Sequence, residues 1–444
     1  MPDVYTTIQG DMWDLIAYKV YGKETCMDKL IQANTKYMNI AVFPQGIKLN
    51  CPELKTEDRS FLPPWRRYNM AVKAFEILKD WLQSLEPGTK LSRRAWLEIK
   101  YTAPDEKEAK DISEDISKYF LSLDYSDNLS GSVDDIDLVL EDRAQLWAEE
   151  WFPKTESMLE ISLHCYNWTN VNEGEKVFQM GSFEIDEIEL QGFPTTVHLK
   201  AVSVVGNSTL RGVQRNQTWE NISIWKCADD ICQRNNLKLY WDCADNPNLD
   251  HIEQADESDL HFLMRICQDN GRSLKVTPDQ VIIFDDDKME QQEPILEIVK
   301  PGLNDHNPKY ALVHMLSNYS LKIKTRDIYW KCVVKYQKGK KKEVIQGEFV
   351  NPDMEKGNVL HAGDQVENQA EAERLAKKKL RDANKEQFTG TFSSLGDFRI
   401  SAGLTAILTG FGVCDGKYII TKAAHRIGST YTTEFDVRKC LNGY

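Results

Sequence analysis

Residues 181–203 read GSFEIDEIELQGFPTTVHLKAVS, and their spacing decides the fold. Phe183 and Ile185, then Val197, Leu199 and Ala201, recur at every second position, the period of a strand with one face buried. The same period marks Ile136, Leu138 and Leu140, and again Ile161, Leu163 and Cys165. Such runs in succession predict a half-buried antiparallel sheet, a barrel or sandwich, over residues 91–205.

The period changes over residues 206–290. Ile224, Ala228 and Ile231 are spaced as on a helix, and so are Leu260, Leu263, Met264 and Cys267. Asp256 is the expected N-cap of the second helix and Gly271 its stop. With strands at Ser273–Val276 and Val281–Phe284 this segment reads as an α/β insert. Alternation returns over 291–444, in Ile328, Trp330, Cys332 and Val334 and in Tyr431, Thr433, Phe435 and Val437. Between them Ala372, Leu375, Ala376 and Leu380 predict a charged surface helix with Glu373 and Lys377 one turn apart. Asp415-Gly416 predicts a hairpin between Leu404–Val413 and Lys417–Thr421.

The N-terminal fifty residues form a separate pattern. Residues 3–9 alternate as a strand; Met12, Leu15, Ile16 and Val20 share one face of a helix that Gly22 should end. Met27, Leu30 and Ile31 repeat that spacing before Pro44, Gly46 and Pro52 punctuate a closing strand. This is a β-α-α-β module over residues 1–54. KTEDRSFLPPWRR at 55–67 has no apolar period and reads as a linker or docking arm. Ala71, Phe75, Leu78 and Leu82 then predict a helix ended by Pro87-Gly88, so residues 55–90 form a linker with a helix.

A chain of 444 residues with 41% hydrophobic content forms several packed cores. The balance of 69 acidic against 55 basic residues, net charge -14, disfavours general binding to nucleic acid or anionic membrane. No run approaches the roughly 20 apolar residues of a membrane span, and MPDVYTTIQGDMWD is not a signal peptide, so no stable membrane insertion and synthesis in the cytoplasm are expected.

Signatures of nucleophilic, P-loop, Rossmann or zincin chemistry are missing, so no catalytic residue, cofactor or metal ligand is assigned and no enzyme is expected. The ten cysteines include no CxxC pair; Cys227 and Cys232 lie five apart, and buried free thiols are expected. His164, His198, His314, His361 and His425 are scattered without ligand spacing. The acidic run Asp124–Asp137 and the triplet Asp285-Asp286-Asp287 lack the spacing of a calcium loop, so turns and strand ends account for them, with a neighbouring subunit as another target of their charge. Lys338, Lys340, Lys341 and Lys342 around Gly339 predict an exposed hairpin tip.

Two groups of segments carry a resemblance. IQGDMWDLIAYKVYG, LIQAN and FPQGIKLNCPEL resemble phage tail protein X, a LysM-like baseplate component, and LPPWRR is similar to how such proteins end. LDYSDNLSGSVDDIDLVLEDRAQLW, GSFEIDEIELQGFPTTVHLKAVS, QADESDLHFLMRICQDNG and LTGFGVCDGKYIITKAAHRIGSTYTTEF resemble, in order, the late control D hub proteins of contractile-tailed phages and injection particles. Residues 68–90 have no family counterpart.

The resemblance implies an α+β, mainly β chain: a LysM-like module, then a hub of two tube-like antiparallel β-barrel domains (91–205 and 291–444) around the insert. It implies a homotrimer in the baseplate of a phage tail or tail-like particle. That trimer adapts a hexameric tail tube protein to a trimeric central spike, beside baseplate wedge proteins and the tape-measure protein. The LysM-like module would clamp the hub to the wedges. It makes Tyr5, Trp13, Tyr21 and Asn34 candidate glycan or partner contacts, although Trp13 and Tyr21 also fit a helix–strand core. The competing reading is a peptidoglycan-binding tail-tip protein acting at the cell wall.

Overall fold

The structure is a computed structural model. It describes residues 4–21, 27–38, 40, 42–52, 92–106, 108–143, 145–147, 151–154, 156–170, 172–203, 209–277, 280–303, 306–313, 315–338, 343–363, 366, 368–441 and 443. The linker at 55–67, the helix over 71–82, Lys340 to Lys342 and His314 lie outside the described residues. The chain divides into two compact units, residues 1–67 and 68–444.

In the first unit, β1 (Val4–Thr6), α1 (Trp13–Tyr21), α2 (Met27–Ala33) and β2 (Lys48–Asn50) follow in the predicted β-α-α-β order. The two strands pair antiparallel, Tyr5 opposite Leu49. Trp13, Ile16, Ala17 and Val20 form the buried face of α1 and meet Leu30, Phe43, Leu49 and Cys51. Each large apolar side chain so buried contributes roughly 1.5–3 kcal/mol.

The second unit is dominated by one hydrogen-bonded sheet of 14 strands. Its first block comprises β3 (Arg94–Thr102), β4 (Lys110–Asp111), α3 (Ser113–Ser117), β5 (Phe120–Asn128), β6 (Asp135–Glu141), β7 (Met158–Tyr166), β8 (Glu175–Gln191) and β9 (Thr196–Val202). The predicted alternation appears as burial, with Ile136, Leu138 and Leu140 of β6 inside and their neighbours half-buried.

Next come α4 (Thr209–Gly212), β10 (Gln214–Ser223), α5 (Ile224–Arg234), β11 (Lys238–Asp242), β12 (Asn248–Ser258), α6 (Asp259–Asp269), β13 (Ser273–Val276) and β14 (Gln280–Phe284). A strand-helix-strand unit is used twice here. Ser223 and Ser258 cap the two helices through their hydroxyls, and both helices contain Ile-Cys-Gln near the end. Both close with the same bond, Leu237 N–H to Cys232 O in the first and Arg272 N–H to Cys267 O in the second, each 2.8 Å, with Asn236 and Gly271 at positive φ. Asp256 is therefore not the cap. It sits in β12 at φ +51, and Ser258, whose backbone is extended at φ -70, presents the hydroxyl to the His261 N–H.

The rest of the chain holds α7 (Asp286–Gln291), β15 (Leu296–Val299), β16 (Ala311–Leu312), β17 (Leu316–Ile323), β18 (Tyr329–Lys338), β19 (Glu343–Val350), β20 (Asn358–Ala362), α8 (Gln369–Asn384), β21 (Phe388–Leu395), β22 (Thr405–Thr409), β23 (Gly416–Ile427) and β24 (Tyr431–Lys439). Strands β18 to β20 form a separate three-stranded sheet. Helix α8 lies on it through Ala372, Ala376 and Leu380, so the charged helix has one fully buried face. The β22–β23 hairpin is present with a longer turn than Asp415-Gly416 alone, because Gly410 and Gly412 at positive φ end the first strand at Thr409. The ladder passes from one β block into the other where β5 pairs with β23, and among the described residues it runs as an open path.

Candidate functional site

In the first unit the four candidate contact residues are tied into the framework. Trp13 is buried and meets the Phe43 ring edge-on, centroids 4.7 Å apart. Asn34 is buried too: its amide donates to Leu30 O and Asn50 O, and its carbonyl accepts from the Asn50 N–H at 2.7 Å, which locks the end of α2 to β2. Tyr21 donates to Pro52 O at 3.1 Å. Tyr5 donates to Asp11, which also binds Lys19 Nζ at 2.7 Å and the Ile8 N–H. Burial works to raise the Asp11 carboxyl, but these three bonds outweigh it and hold the group below the usual range. Met12 and Leu15, expected on the apolar face of the helix, are exposed instead, as are Tyr18 and Val42; Met12 directly precedes α1, and Leu15 and Tyr18 follow it at every third position.

The acidic clusters of the second unit hold distant segments together. Lys275 of β13 reaches Asp127 at 2.5 Å and Asp134 at 3.3 Å, while the second Asp127 oxygen accepts the Ala402 N–H. One lysine thus joins the insert to the first block, and Asp127 joins that block to the second. Burial opposes the charge on Lys275, but the two carboxylates keep its pKa raised; burial also raises Asp134. Asp245 and Asp285 of the insert bind Arg272 and, from α8, Lys378; Asp245 also binds Arg374 of α8. Asp286 and Glu290 of α7 bind Arg438 of β24, and Glu290 also takes Arg381 of α8. Asp286 and Asp285, read from sequence as turn residues, are the acidic halves of these seams.

The histidines serve the sheet. His425 on β23 is 1% exposed, with Nε2 donating to Ile400 O at 2.9 Å and Nδ1 accepting from the Tyr431 hydroxyl at 2.8 Å. Burial pushes its pKa down to about 4, so it is neutral. His164 bridges Glu98 and Glu175, and His198 contacts Asp137 across β6 and β9. His361 is exposed on β20. Among the described residues no cluster of three or more His, Cys, Asp or Glu has metal-binding geometry. The nine described cysteines are free thiols; burial pushes Cys227, Cys232 and Cys267 of the insert core up to about 12. No helix among the described residues is long and apolar enough to cross a membrane.

Sequence reasoning missed Lys275, Arg272 and Arg438. The only local sign was a basic residue inside a short apolar strand, as in Ser273-Leu274-Lys275-Val276. Its partner Asp127 lies 148 positions away.

Residues 3–59 match the family model of Phage Tail Protein X. The chain is 28% identical over 179 residues to the probable baseplate hub protein of Escherichia phage 186, covering 40% of this chain and 43% of that one. It is 27% identical over 174 residues to the probable baseplate hub protein of Escherichia phage P2, covering 38% and 41%. The aligned part is thus less than half the length of either relative. The fold is shared with a tail protein from Neisseria meningitidis MC58, TM-score 0.55 at 11% identity over 78% of this chain and 97% of that one. It is shared also with the 43 kDa tail protein of prophage MuSo2 from Shewanella oneidensis, TM-score 0.53 at 10% identity over 77% and 98%. The chain therefore has a mainly β, α+β tail-protein fold, preceded by a segment similar to tail protein X.

Proposed function

We propose that this chain is a structural baseplate hub of a contractile tail or tail-like injection particle, whose work is shape and cohesion with no reaction to catalyse. The observation that carries the reading is the continuous sheet joining two β blocks through β5 and β23, cross-braced by buried ion pairs at the insert and α8. Similarity to the two phage hub proteins supports it. A hub that transmits force gains from such bracing, because breaking a buried pair by loss of one partner costs about 3–5 kcal/mol.

In this reading residues 1–54 are the LysM-like clamp, 55–90 a linker, 91–205 and 291–444 the two ring-forming domains, and 206–290 a peripheral insert. Three chains form a ring between a hexameric tube and a trimeric spike. The clamp offers Met12, Leu15, Tyr18 and Val42 to a wedge protein, while Tyr5, Trp13, Tyr21 and Asn34 keep its shape. The chain is made in the bacterial cytoplasm and built into the baseplate there.

The test is to purify tail particles from the producing cells and locate the chain by electron microscopy with a labelled antibody, with its copy number from quantitative mass spectrometry. Labelling at the tube end with three copies per particle is expected. Absence from particles overturns the hub. Retention of the full chain on insoluble peptidoglycan, lost when Tyr18 is changed to alanine, would favour the wall-binding reading instead.

A further inference from the structure

On the outer face of the second β block the pairing register sets two polar rows side by side. Lys322 of β17, Thr389 of β21 and Arg438 of β24 lie opposite one another, and two positions along the strands so do Ser320, Thr391 and Asp436. Both rows line one cleft of about 470 Å³, a volume within the range of small-molecule sites. Its other walls come from Asp286 of α7, from Lys385 and Glu386 just past α8, and from Leu129 and Ser130 just past β5.

Six charged groups line this cleft, and four of them are already paired. Arg438, its side chain only 6% exposed, is held by Asp286 and Glu290; Lys385 binds Asp382, and Glu386 binds Lys324. The two left over are Lys322 and Asp436. Among the described residues neither has an ion-pair partner, and they do not reach each other. Asp436 accepts the Thr391 hydroxyl on one carboxylate oxygen at 2.6 Å, which orients the group and leaves the second oxygen open. The hydroxyls of Ser320 and Thr389, one in each row, are also without a partner among the described residues.

One cation and one anion are thus unspent, in adjacent rows of the same cleft. Rows two positions apart on one face of a sheet are about 7 Å apart, which is roughly the span of two extended residues. A simple anion would satisfy Lys322 and leave Asp436 facing it, and a simple cation would do the reverse. A ligand that carries both charges at that separation satisfies both. The described lining holds no aromatic ring, so nothing is there to stack on a base or a sugar.

We propose that the cleft binds a short zwitterionic peptide of dipeptide length. Its carboxylate lies on Lys322 and the Thr389 hydroxyl, and its ammonium on Asp436 and the Ser320 hydroxyl. Arg438, fixed by its two carboxylates, adds to the positive end. The floor is three paired strands, so the recognising groups start close to their bound places and little is lost in ordering them. Discrimination comes from what a mismatched ligand leaves unpaired at either end. All of these groups belong to one chain, so the site does not depend on the hub reading.

Ligand-observed NMR titration of the full chain tests it, with alanyl-alanine, its C-terminal amide, its N-acetyl form and inorganic phosphate as probes. Alanyl-alanine should bind with a Kd of roughly 1 mM or tighter, and each of the other three at least tenfold more weakly. Lys322→Met should lose the preference for alanyl-alanine over its amide, and Asp436→Asn the preference over the acetyl form. Lys322 is exposed on its strand, so its variant should keep the wild-type melting midpoint and carries the test alone if Asp436→Asn folds poorly. No saturable binding of alanyl-alanine, a blocked form or phosphate that binds as well, or a folded Lys322→Met that keeps its preference overturns the site. None of these outcomes bears on the chain's presence in tail particles, on which the hub reading stands or falls.

Discussion

Acidification should loosen the seam between the two β blocks through His425. The imidazole is wedged behind β5, its ring 5.9 Å from that of Tyr125 and nearly parallel to it, and both nitrogens are occupied. Because Ile400 O can only accept, Nε2 carries the proton and Nδ1 is bare. Burial lowers the folded pKa from the ordinary 6.5 to about 4. Between those values the unfolded chain binds the extra proton and the folded chain does not, so stability rises with pH across the window and is lost as pH falls through it. At about 1.4 kcal/mol per unit, the loss is about 3 kcal/mol in all, most of it spent by pH 4.5. Urea unfolding at pH 7.5, 6, 5 and 4.5 on wild type and His425→Phe measures it. The variant lacks two hydrogen bonds and should be weaker at pH 7.5, but its curve should lack this slope. Asp134, Asp135 and Glu184, whose pKa values burial raises, titrate in both proteins and cancel in the difference. Equal slopes in the two proteins would refute the assignment.

Other consequences follow from particular contacts. Lys275→Met should cost about 3 kcal/mol by leaving Asp127 and Asp134 buried without their cation, and adding Asp127→Asn should recover part of it in the same urea assay. Gly347→Ala would put a methyl carbon 2.3 Å from the backbone of Ala372 and Glu373; it should cost about 1–3 kcal/mol and show as faster hydrogen exchange across α8. Ser258→Ala, which removes the cap of α6, should lower stability by about 1 kcal/mol, with exchange rising first at His261. Asn34→Ala removes two bonds to Asn50 of β2 and one to Leu30 of α2 and should cost about 2–3 kcal/mol in the first unit, read from the fluorescence of buried Trp13.

What the sequence determined by itself was everything carried by short-range period. Alternation at Ile136, Leu138 and Leu140 or at Val197, Leu199 and Ala201 marks strands because a pleat turns every second side chain inward. The helical spacing of Met12, Leu15, Ile16 and Val20 marks a helix for the same kind of reason, but the face it turns inward is Trp13, Ile16, Ala17 and Val20, with Met12 and Leu15 exposed. The β-α-α-β module, the mainly β remainder and the α/β insert were therefore legible from neighbours in the chain. The cap of α6 was not, since Asp256 and Ser258 are both good caps and the choice depends on where β12 releases the backbone.

Tertiary structure alone decided what the polar residues do. Asp127 and Asp285 look like turn residues until folding brings Lys275, Arg272 and Lys378 to them, and nothing local selects partners that far apart. The candidate contacts Trp13 and Asn34 went to the interior because the module is too small to form a core without them. The joining of the two β blocks where β5 lies against β23 is a property of pairing. Pairing is set by register and packing between segments far apart in sequence, which periodicity within a strand does not encode.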